Sequence, residues 1–330
     1  MIERKKVQDI LGEQKGGDVS IDVHTHNGFD HMNTIRRRYP TSQSIKDLEL
    51  KLRLASIDYA VSFPCPSSFY YFDFRDFSEK DRKLTPLPAE AVPFEHANRQ
   101  MIYEVSLFGN GRIFPFASIL PQHNELRQVE SLEQYAKKGY LFGLKLHTLP
   151  TRTKPSELTD SPFIELATIY SLPIMIHSGP DEFSRPENII ALARHHQSVR
   201  FCIAHAGRFE KNAYDMLLRE GDTNVFLDTS PFLSLCALTP LDMQRGKGGI
   251  KLDLPYDDPG NALTQLYSLM PNNLVWGTDE PWTTIMDDTQ QTILTKFDYF
   301  DEANLLKSLP SDIRVKIAND NTQRFLFGNQ

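Results

Sequence analysis

Eight short segments rich in β-branched and apolar residues recur along the chain, and most of the sequence between them has the period of an amphipathic helix. In the helical stretches the apolar residues share one face, as Ala97, Met101 and Val105 do. Strand, crossover helix and strand in this alternation describe βαβ units, which build a parallel sheet. The eight segments cover residues 20–24, 57–63, 113–120, 141–147, 173–177, 199–205, 225–228 and 274–279.

Eight such units in 330 residues predict an α/β fold, a (β/α)8 TIM barrel. We expect one domain over residues 1–330, with residues 1–19 as an N-terminal extension. The longest gaps predict insertions in the loops after strands 2 and 7, at residues 64–93 and 231–262. Both follow the carboxyl end of a strand, where the loops of a barrel form the reaction site. A doubly wound sheet lacks support, because no strand is followed by GxGxxG or a P-loop.

Charge and composition restrict the partners. Lys and Arg number 36 against 43 Asp and Glu, so the net charge is −7, which argues against binding to nucleic acid or an anionic membrane. No segment approaches the roughly 18–20 apolar residues of a membrane helix, and the charged N-terminus does not resemble a secretory signal. The three cysteines are widely spaced and form no CxxC pair. We therefore expect a reduced cytoplasmic protein that acts on a small molecule.

Side chains that can bind a metal end several of the predicted strands. The first strand reads Ile-Asp-Val-His-Thr-His, so His24 and His26 lie two residues apart on one face, about 7 Å along the strand. His177 ends the fifth strand, His205 the sixth and Asp279 the eighth. In a closed barrel these ends form one ring. Each residue alone has an ordinary explanation, such as a polar strand end or a helix cap, but their joint placement favours a metal site.

Lys145 and His147, in Gly-Leu-Lys-Leu-His, share one face of the fourth strand. A lysine inside a barrel must be neutral, paired or modified, because an isolated buried charge is costly. Three alternatives remain open for Lys145: a carbamylated lysine that bridges two metals, a cation that orients a substrate carboxylate or water, and a structural lysine near the rim. Arg185 and Arg208, after the fifth and sixth strands, are either carboxylate ligands or surface arginines.

These residues resemble the amidohydrolase superfamily of metal-dependent (β/α)8 barrels, and more narrowly its amidohydrolase-2 branch of lactonases, amide hydrolases and non-oxidative decarboxylases. The similarity runs from Ile21 to the terminal helix. It rests on Asp-Val-His-Thr-His at 22–26, Arg-Ile-Phe-Pro-Phe-Ala-Ser-Ile-Leu-Pro at 112–121, Gly-Leu-Lys-Leu-His at 143–147, Leu-Pro-Ile-Met-Ile-His-Ser-Gly at 172–179, Ala-His-Ala-Gly at 204–207, Gly-Thr-Asp-Glu-Pro-Trp at 277–282 and Asn-Thr-Gln-Arg-Phe-Leu-Phe at 321–327.

The resemblance implies one divalent ion, zinc, held by His24, His26, His177 and Asp279. His205 is then a second-metal ligand, or a group that contacts the substrate or the reacting water. Two departures leave the metal site intact and bear on substrate identity. Thr278 and Glu280 stand where the family often has Ser and Tyr, and Thr148-Leu149-Pro150 follows the fourth-strand histidine, where Pro usually follows directly.

The hypothesis is a hydrolase that uses a zinc-activated water on an amide or lactone of a small molecule. Asp279 is the expected general base, and His205 stabilises the oxyanion or holds the nucleophile. The candidate substrate-binding residues are Lys145, His147 and Arg208. A second metal ion and a homodimer are open alternatives.

Three other functions compete with this hypothesis. The first is a non-oxidative decarboxylase of an aromatic or unsaturated carboxylic acid on the same metal site. The second is a metal-dependent deoxyribonuclease or phosphoesterase. The third is a barrel that binds metal without turnover. The aromatic run Phe69-Tyr70-Tyr71-Phe72 suggests either a lid over a planar substrate or a hydrophobic cluster that packs a long loop.

Overall fold

Strands and helices alternate along the chain as the sequence predicts. The computed structural model describes residues 2–13, 17–29, 42–65, 89–246, 248–286 and 293–328. The first insertion lies mostly outside these ranges, and so does the aromatic run at residues 69–72. The second insertion contains a helix, Phe232–Gln244.

Nine strands form the main sheet, and their hydrogen-bonded order is β2-β1-β3-β4-β5-β6-β7-β8-β9. All neighbours pair in parallel except β2, which runs antiparallel along the end of β1. A short antiparallel hairpin, β10 and β11, lies apart. The strands are β1 Ile21–Phe29, β2 Ser42–Gln43, β3 Tyr59–Pro64, β4 Ile113–Ile119, β5 Gly143–Leu146, β6 Ile174–Ile176, β7 Phe201–Ile203, β8 Val225–Asp228, β9 Leu274–Val275, β10 Ile285–Met286 and β11 Ile293–Thr295.

Backbone hydrogen bonds join the last strand to the first. The amide of Val23 donates to the carbonyl of Trp276 at 3.0 Å, and the amide of Asp279 donates to the carbonyl of His24 at 2.8 Å. The amide of His26 donates to the carbonyl of Glu280 at 2.7 Å. Eight parallel strands, β1 and β3–β9, therefore form a TIM barrel, which confirms the predicted fold class.

Helices occupy most of the segments between the strands and pack against the outside of the barrel. The predicted helix that begins at Pro186 and the one that ends before Gly221 are both present. None of the helices within the described ranges is long and apolar enough to cross a membrane. The helices are Arg4–Glu13, Ile45–Ala55, Glu95–Phe108, Glu125–Lys137, Thr148–Thr151, Pro162–Ile169, Pro186–His195, Lys211–Glu220, Phe232–Gln244, Pro259–Leu269, Tyr299–Ser308, Ser311–Val315 and Asn321–Phe327.

Two apolar clusters hold the barrel together. The larger lies between the strands and the surrounding helices. The smaller lies in the interior of the barrel, with side chains such as Phe114 and Phe226 near the start of their strands and Phe63 near the end of β3. Val7 of the N-terminal helix and Phe325 near the C-terminal end join this inner cluster. Apolar residues thus occupy the end where the strands begin, and the polar residues of the interior collect where the strands end.

Two differences from the predicted strands have physical causes. The eighth predicted segment, residues 274–279, is regular only over Leu274–Val275, because the chain beyond it bonds to β1 through the irregular contacts that close the barrel. The pairs β2 and β10–β11 are not predicted at all, since strands of two or three residues are too short to show a period.

Candidate metal centre

The end of β1 brings His24 and His26 together. The pairing of β1 with β3 shifts register between Asp22 and Thr25, and the two imidazoles face the barrel axis with their Nε2 atoms 3.3 Å apart. Phe63 packs edge-on against both rings. Both histidines are buried. Two lone-pair donors from one strand therefore meet at the mouth of the barrel.

Asp279 lies in the segment after β9, which bonds to β1 and closes the barrel, and it contacts these histidines from that segment. Its Oδ1 lies 3.1 Å from Nε2 of His24 and 3.1 Å from Nε2 of His26. Asp279 has a φ of 62°, a left-handed conformation that aspartate tolerates better than most residues. A Cβ on Gly277 would lie 2.8 Å from Cβ of His24, so glycine is needed for the chain to pass this close.

The predicted ligand His177 and the predicted catalytic residue His205 lie next to each other. Ligand atoms of His24, His205 and Asp279 all fall within 4.8 Å of one another. Nε2 of His205 is 2.9 Å from Nδ1 of His177. His177 therefore touches His205. The ligand atoms of His24, His205 and Asp279 lie close to one another, and His26 contacts both His24 and Asp279.

Asp228 and Ser230 orient the two histidines nearest the centre. Nδ1 of His24 donates to Oδ2 of Asp228 at 2.9 Å, and Nδ1 of His205 donates to the carbonyl oxygen of Ser230 at 2.8 Å. Since both partners are acceptors, each Nδ1 carries the proton and each Nε2 keeps its lone pair. A carboxylate behind a ligand histidine is the usual support in a metal site. Asp228 ends β8, so the strand-end pattern that singled out Asp279 also points to it.

A second carboxylate, Asp22, fixes the end of the closing strand. It accepts hydrogen bonds from the amide of His24 at 3.0 Å and from the amide of Thr278 at 3.1 Å. Oγ1 of Thr278 donates to its Oδ2 at 2.7 Å. Burial raises the pKa of Asp22 to about 7. The threonine that departs from the family pattern therefore ties the Asp279 segment to β1.

His205 begins a left-handed turn. Five consecutive residues, from His205 to Phe209, have φ between 49° and 60°, although a left-handed helix costs L-residues roughly 1–2 kcal/mol each. Other parts of the chain bond its carbonyls. The hydroxyl of Tyr214 donates to Ala206 at 2.8 Å, and Nζ of Lys251 donates to Arg208 at 3.1 Å. Lys251 comes from the second insertion, so this insertion supports the turn that carries His205.

The three candidate substrate-binding residues occupy different positions. Lys145 is buried in the barrel, with Nζ 3.4 Å from Nε2 of His24 and 4.5 Å from the centre of the Phe63 ring. Nε2 of His147 is 3.1 Å from Oγ of Ser118. Arg208 donates to Asp242 at 2.9 Å. Lys145 is thus adjacent to the centre, His147 is held by β4, and Arg208 is paired with the second insertion.

Burial favours the neutral form of three imidazoles of the site, those of His26, His177 and His205. Burial lowers the pKa of His26 and of His205 well below the ordinary value. Burial also lowers the pKa of His177 to about 3 and that of Lys145 to about 8. Burial raises the pKa of Asp279.

His24 and Asp228 behave differently because they face each other. Burial and Lys145 would lower the pKa of His24, but the carboxylates of Asp228 and Asp279 more than offset them and raise it. Burial would raise the pKa of Asp228, but His24 and Ser230 lower it. The carboxylate of Asp228 and the imidazole of His24 therefore stabilise each other's charged forms.

The donor set fits a divalent cation. The imidazoles of His24 and His26, whose Nε2 atoms are 3.3 Å apart, each lie 3.1 Å from Oδ1 of Asp279. Nitrogen and carboxylate oxygen are ligands that zinc accepts. His26 adds a second sign, because its buried Nδ1 has no hydrogen-bond partner among the described residues. This nitrogen is free to carry the proton that leaves the Nε2 lone pair available.

The sequence matches a family model described as amidohydrolase over residues 21–328. No curated protein matches the chain at a significant level. Among solved structures, a probable 2-pyrone-4,6-dicarboxylic acid hydrolase from Acinetobacter baumannii is 16% identical with a TM-score of 0.57, covering 94% of this chain and 99% of its own. A 5-carboxyvanillate decarboxylase from Sphingomonas paucimobilis is 14% identical with a TM-score of 0.57, covering 93% and 98%.

A third similar structure, an amidohydrolase from Burkholderia multivorans with bound HEPES, is 11% identical with a TM-score of 0.58 and covers 94% of this chain and 100% of its own. At such identities the likeness shows a common fold, while the family model spans almost the whole sequence. The predicted resemblance is confirmed: the chain belongs to the amidohydrolase family.

Proposed function

We propose that the chain is a metal-dependent hydrolase that cleaves an amide or lactone bond of a small molecule. One observation carries the proposal: the Nε2 atoms of His24 and His26 and a carboxylate oxygen of Asp279 converge at 3.1–3.3 Å, at the end of the barrel where the strands end. This is the end at which barrels of this kind do their chemistry.

In this proposal His24, His26 and Asp279 hold the ion, and His177 completes the set by the family's pattern. A divalent ion, zinc in our proposal, supplies Lewis-acid chemistry: it polarises a carbonyl and lowers the pKa of water toward neutrality. Asp228 orients His24 through Nδ1 at 2.9 Å. The rings of Phe63 and Trp282 pack against His26 and keep bulk water from it.

Asp279 is the proposed general base. Oδ1 faces the two histidines, so Oδ2 is the atom left to take a proton from the nucleophile and return it to the leaving group. Burial raises the pKa of Asp279, which brings its basicity closer to the working pH.

His205 is proposed to hold the nucleophile and not to donate to an oxyanion. Its Nδ1 proton is committed to the carbonyl of Ser230 at 2.8 Å, and burial lowers its pKa well below the ordinary value. The ring is therefore neutral with a lone pair at Nε2, which accepts a hydrogen bond and cannot donate one. Nδ1 of His177 lies 2.9 Å from this Nε2, so His205 would accept from the nucleophile only when His177 turns its Nδ1 away.

We propose that Lys145, His147 and Arg208 bind substrate, with an acidic group of the substrate near Lys145. A buried ammonium whose pKa burial lowers to about 8 gains most from an anionic partner. The same feature supports a second candidate, decarboxylation of an aromatic or unsaturated carboxylic acid. There Lys145 would hold the carboxylate that leaves as carbon dioxide, and a proton would be delivered to the carbon.

The test is a substrate screen on metal-loaded protein. Lactones, N-acyl compounds and aromatic carboxylic acids are assayed for acid release and for carbon dioxide release. Acid release with carbon dioxide absent supports hydrolysis, and carbon dioxide release replaces it with the second candidate. The variant Asp279→Asn is expected to lose at least about 100-fold in turnover, the lower end for a lost acid–base group. Turnover equal to that of the unaltered protein would refute the assignment of the base.

A further inference from the structure

We propose that Lys51, on the outer helix Ile45–Ala55, is a positioning residue that holds His26 in place for the divalent cation. The inference rests on the proposed function, because it concerns how tightly the site binds its ion. Lys51 does not face the barrel interior. It acts through two residues, Gln43 and Glu280, that form hydrogen bonds with the carbonyl and the amide of His26.

Both backbone polar groups of His26 are held by residues outside β1. Its amide donates to the carbonyl of Glu280 at 2.7 Å, and its carbonyl accepts from Nε2 of Gln43 at 2.8 Å. Gln43 and Glu280 are 3% and 4% exposed. Because they bond to the backbone of His26, any shift in either moves the start of its side chain.

Lys51 joins these two residues. Its ammonium donates to Oε1 of Gln43 at 2.8 Å and also bonds Oε1 of Glu280. One cation therefore connects the segment that precedes the outer helix with the segment that follows Asp279. The contacts form a closed loop. Lys51 bonds the side chain of Gln43, which bonds the carbonyl of His26. The amide of His26 bonds the carbonyl of Glu280, and the side chain of Glu280 bonds Lys51.

The charge of Glu280 explains why a cation is needed there. This carboxylate is buried beside Asp279, and the ammonium of Lys51 bonds its Oε1. An acid left in this position without a partner would withdraw toward water or take up a proton.

A capping box holds the N-terminal end of the outer helix, which carries Lys51. Oγ of Ser44 accepts from the amide of Asp47 at 3.1 Å, and the carboxylate of Asp47 accepts from the amide of Ser44 at 3.1 Å. This capping box follows directly after Gln43. The helix start, Gln43 and Lys51 therefore move as one unit, and the ammonium, whose side chain is 31% exposed, reaches its partners from the solvent side.

The experiment measures the affinity of the metal-free protein for Zn²⁺ by competition with a chromophoric chelator, at one pH. Lys51→Met keeps the aliphatic stem and removes the charge, and we expect affinity to fall about tenfold, the lower end for loss of an outer support of a ligand. Lys51→Arg keeps the charge and should remain within about threefold. The control is Lys46→Met on the same helix, whose side chain is exposed and should leave affinity unchanged.

Glu280→Gln provides the second variant. If Lys51 acts by satisfying the buried carboxylate, Glu280→Gln combined with Lys51→Met should recover part of the lost affinity. Circular dichroism of each metal-free variant shows whether it is folded. If Lys51→Met does not fold, Lys51→Gln replaces it as the variant without the charge, and affinity equal to that of Lys51→Arg overturns the proposal.

The outcomes separate this inference from the proposed function. Equal or tighter Zn²⁺ binding by folded Lys51→Met overturns the positioning role alone, since a tighter site would mean that Lys51 acts only as a nearby positive charge. If the unaltered protein binds no Zn²⁺, Mn²⁺ or Co²⁺, the proposed function fails and this inference fails with it.

Discussion

Single residues orient the side chains of the candidate metal centre, and Asp228 is one of them. Its carboxylate accepts from Nδ1 of His24 at 2.9 Å and from the amides of Ser230 at 2.9 Å and His205 at 3.3 Å. It therefore orients one proposed ligand and fixes the backbone that carries another group of the site. A ligand histidine without such a partner can rotate or change tautomer.

Asp228→Asn is expected to weaken divalent-cation affinity by about 10- to 100-fold while the protein stays folded. An amide oxygen is a poorer acceptor than a carboxylate, so His24 loses part of the bond that sets its tautomer. Chelator competition on the metal-free protein measures the effect. Asp222→Asn is the matched control, because Asp222 pairs with Arg194 away from the site. Equal affinity in both variants would show that Asp228 does not support the ligand.

Among the elements, the left-handed turn at His205–Phe209 is the least expected. The strand pattern predicts that β7 ends near His205, but no periodicity indicates five residues with positive φ. The turn exists because bonds from Tyr214 and Lys251 satisfy its carbonyls, and these partners come from a helix and an insertion that only the folded barrel brings near.

Gly207→Ala tests the strain in this turn. Gly207 has a φ of 55°, and a Cβ there would meet Pro186 at 3.5 Å, an ordinary contact. We therefore expect a loss of about 1–2 kcal/mol in the free energy of unfolding, from backbone strain alone. Gly221→Ala, at a helix end with φ of 63° and open space, should lose a similar amount.

Urea unfolding gives both stability losses, and turnover separates the two variants. Only Gly207→Ala should also lose activity, because its turn carries His205. If the two variants keep the same turnover, the turn has no part in placing that residue.

A second element, the helix Tyr299–Ser308, carries a buried acid. Glu302 accepts from the amide of Leu233 at 2.9 Å, and its Oε2 has no partner among the described residues. Burial raises the pKa of Glu302 well above its ordinary value. The unfolded chain releases this proton near pH 4.3, so the folded state keeps it longer, and stability falls as the pH rises from about 4.3 toward the folded pKa.

Glu302→Gln removes this titration. The stability of the unaltered protein minus that of the variant should therefore decrease between pH 5 and pH 8, as measured by urea unfolding at each pH. Glu165→Gln, at an exposed position, should give a constant difference. A constant difference for Glu302→Gln as well would mean that its carboxyl ionises inside the fold as freely as in water.

For the whole molecule, the barrel could be predicted from the sequence because the local strand and helix patterns agree with the overall fold. Strand and helix periods recur eight times, and His24, His26, His205 and Asp279 meet because the carboxyl ends of parallel strands face one opening. Asp228 could have been found by the same rule. The link from Lys51 to His26 could not, since it depends on how an outer helix is placed against the seam of the barrel.

The central claim is that this opening holds a divalent cation. Elemental analysis of the purified protein after dialysis against metal-free buffer tests it directly, with the double variant His24→Ala/His26→Ala as the comparison. The account predicts about one divalent ion per chain in the unaltered protein and almost none in the variant. An unaltered protein that carries no metal and is indifferent to chelators, or a variant that retains the same metal content, would contradict it.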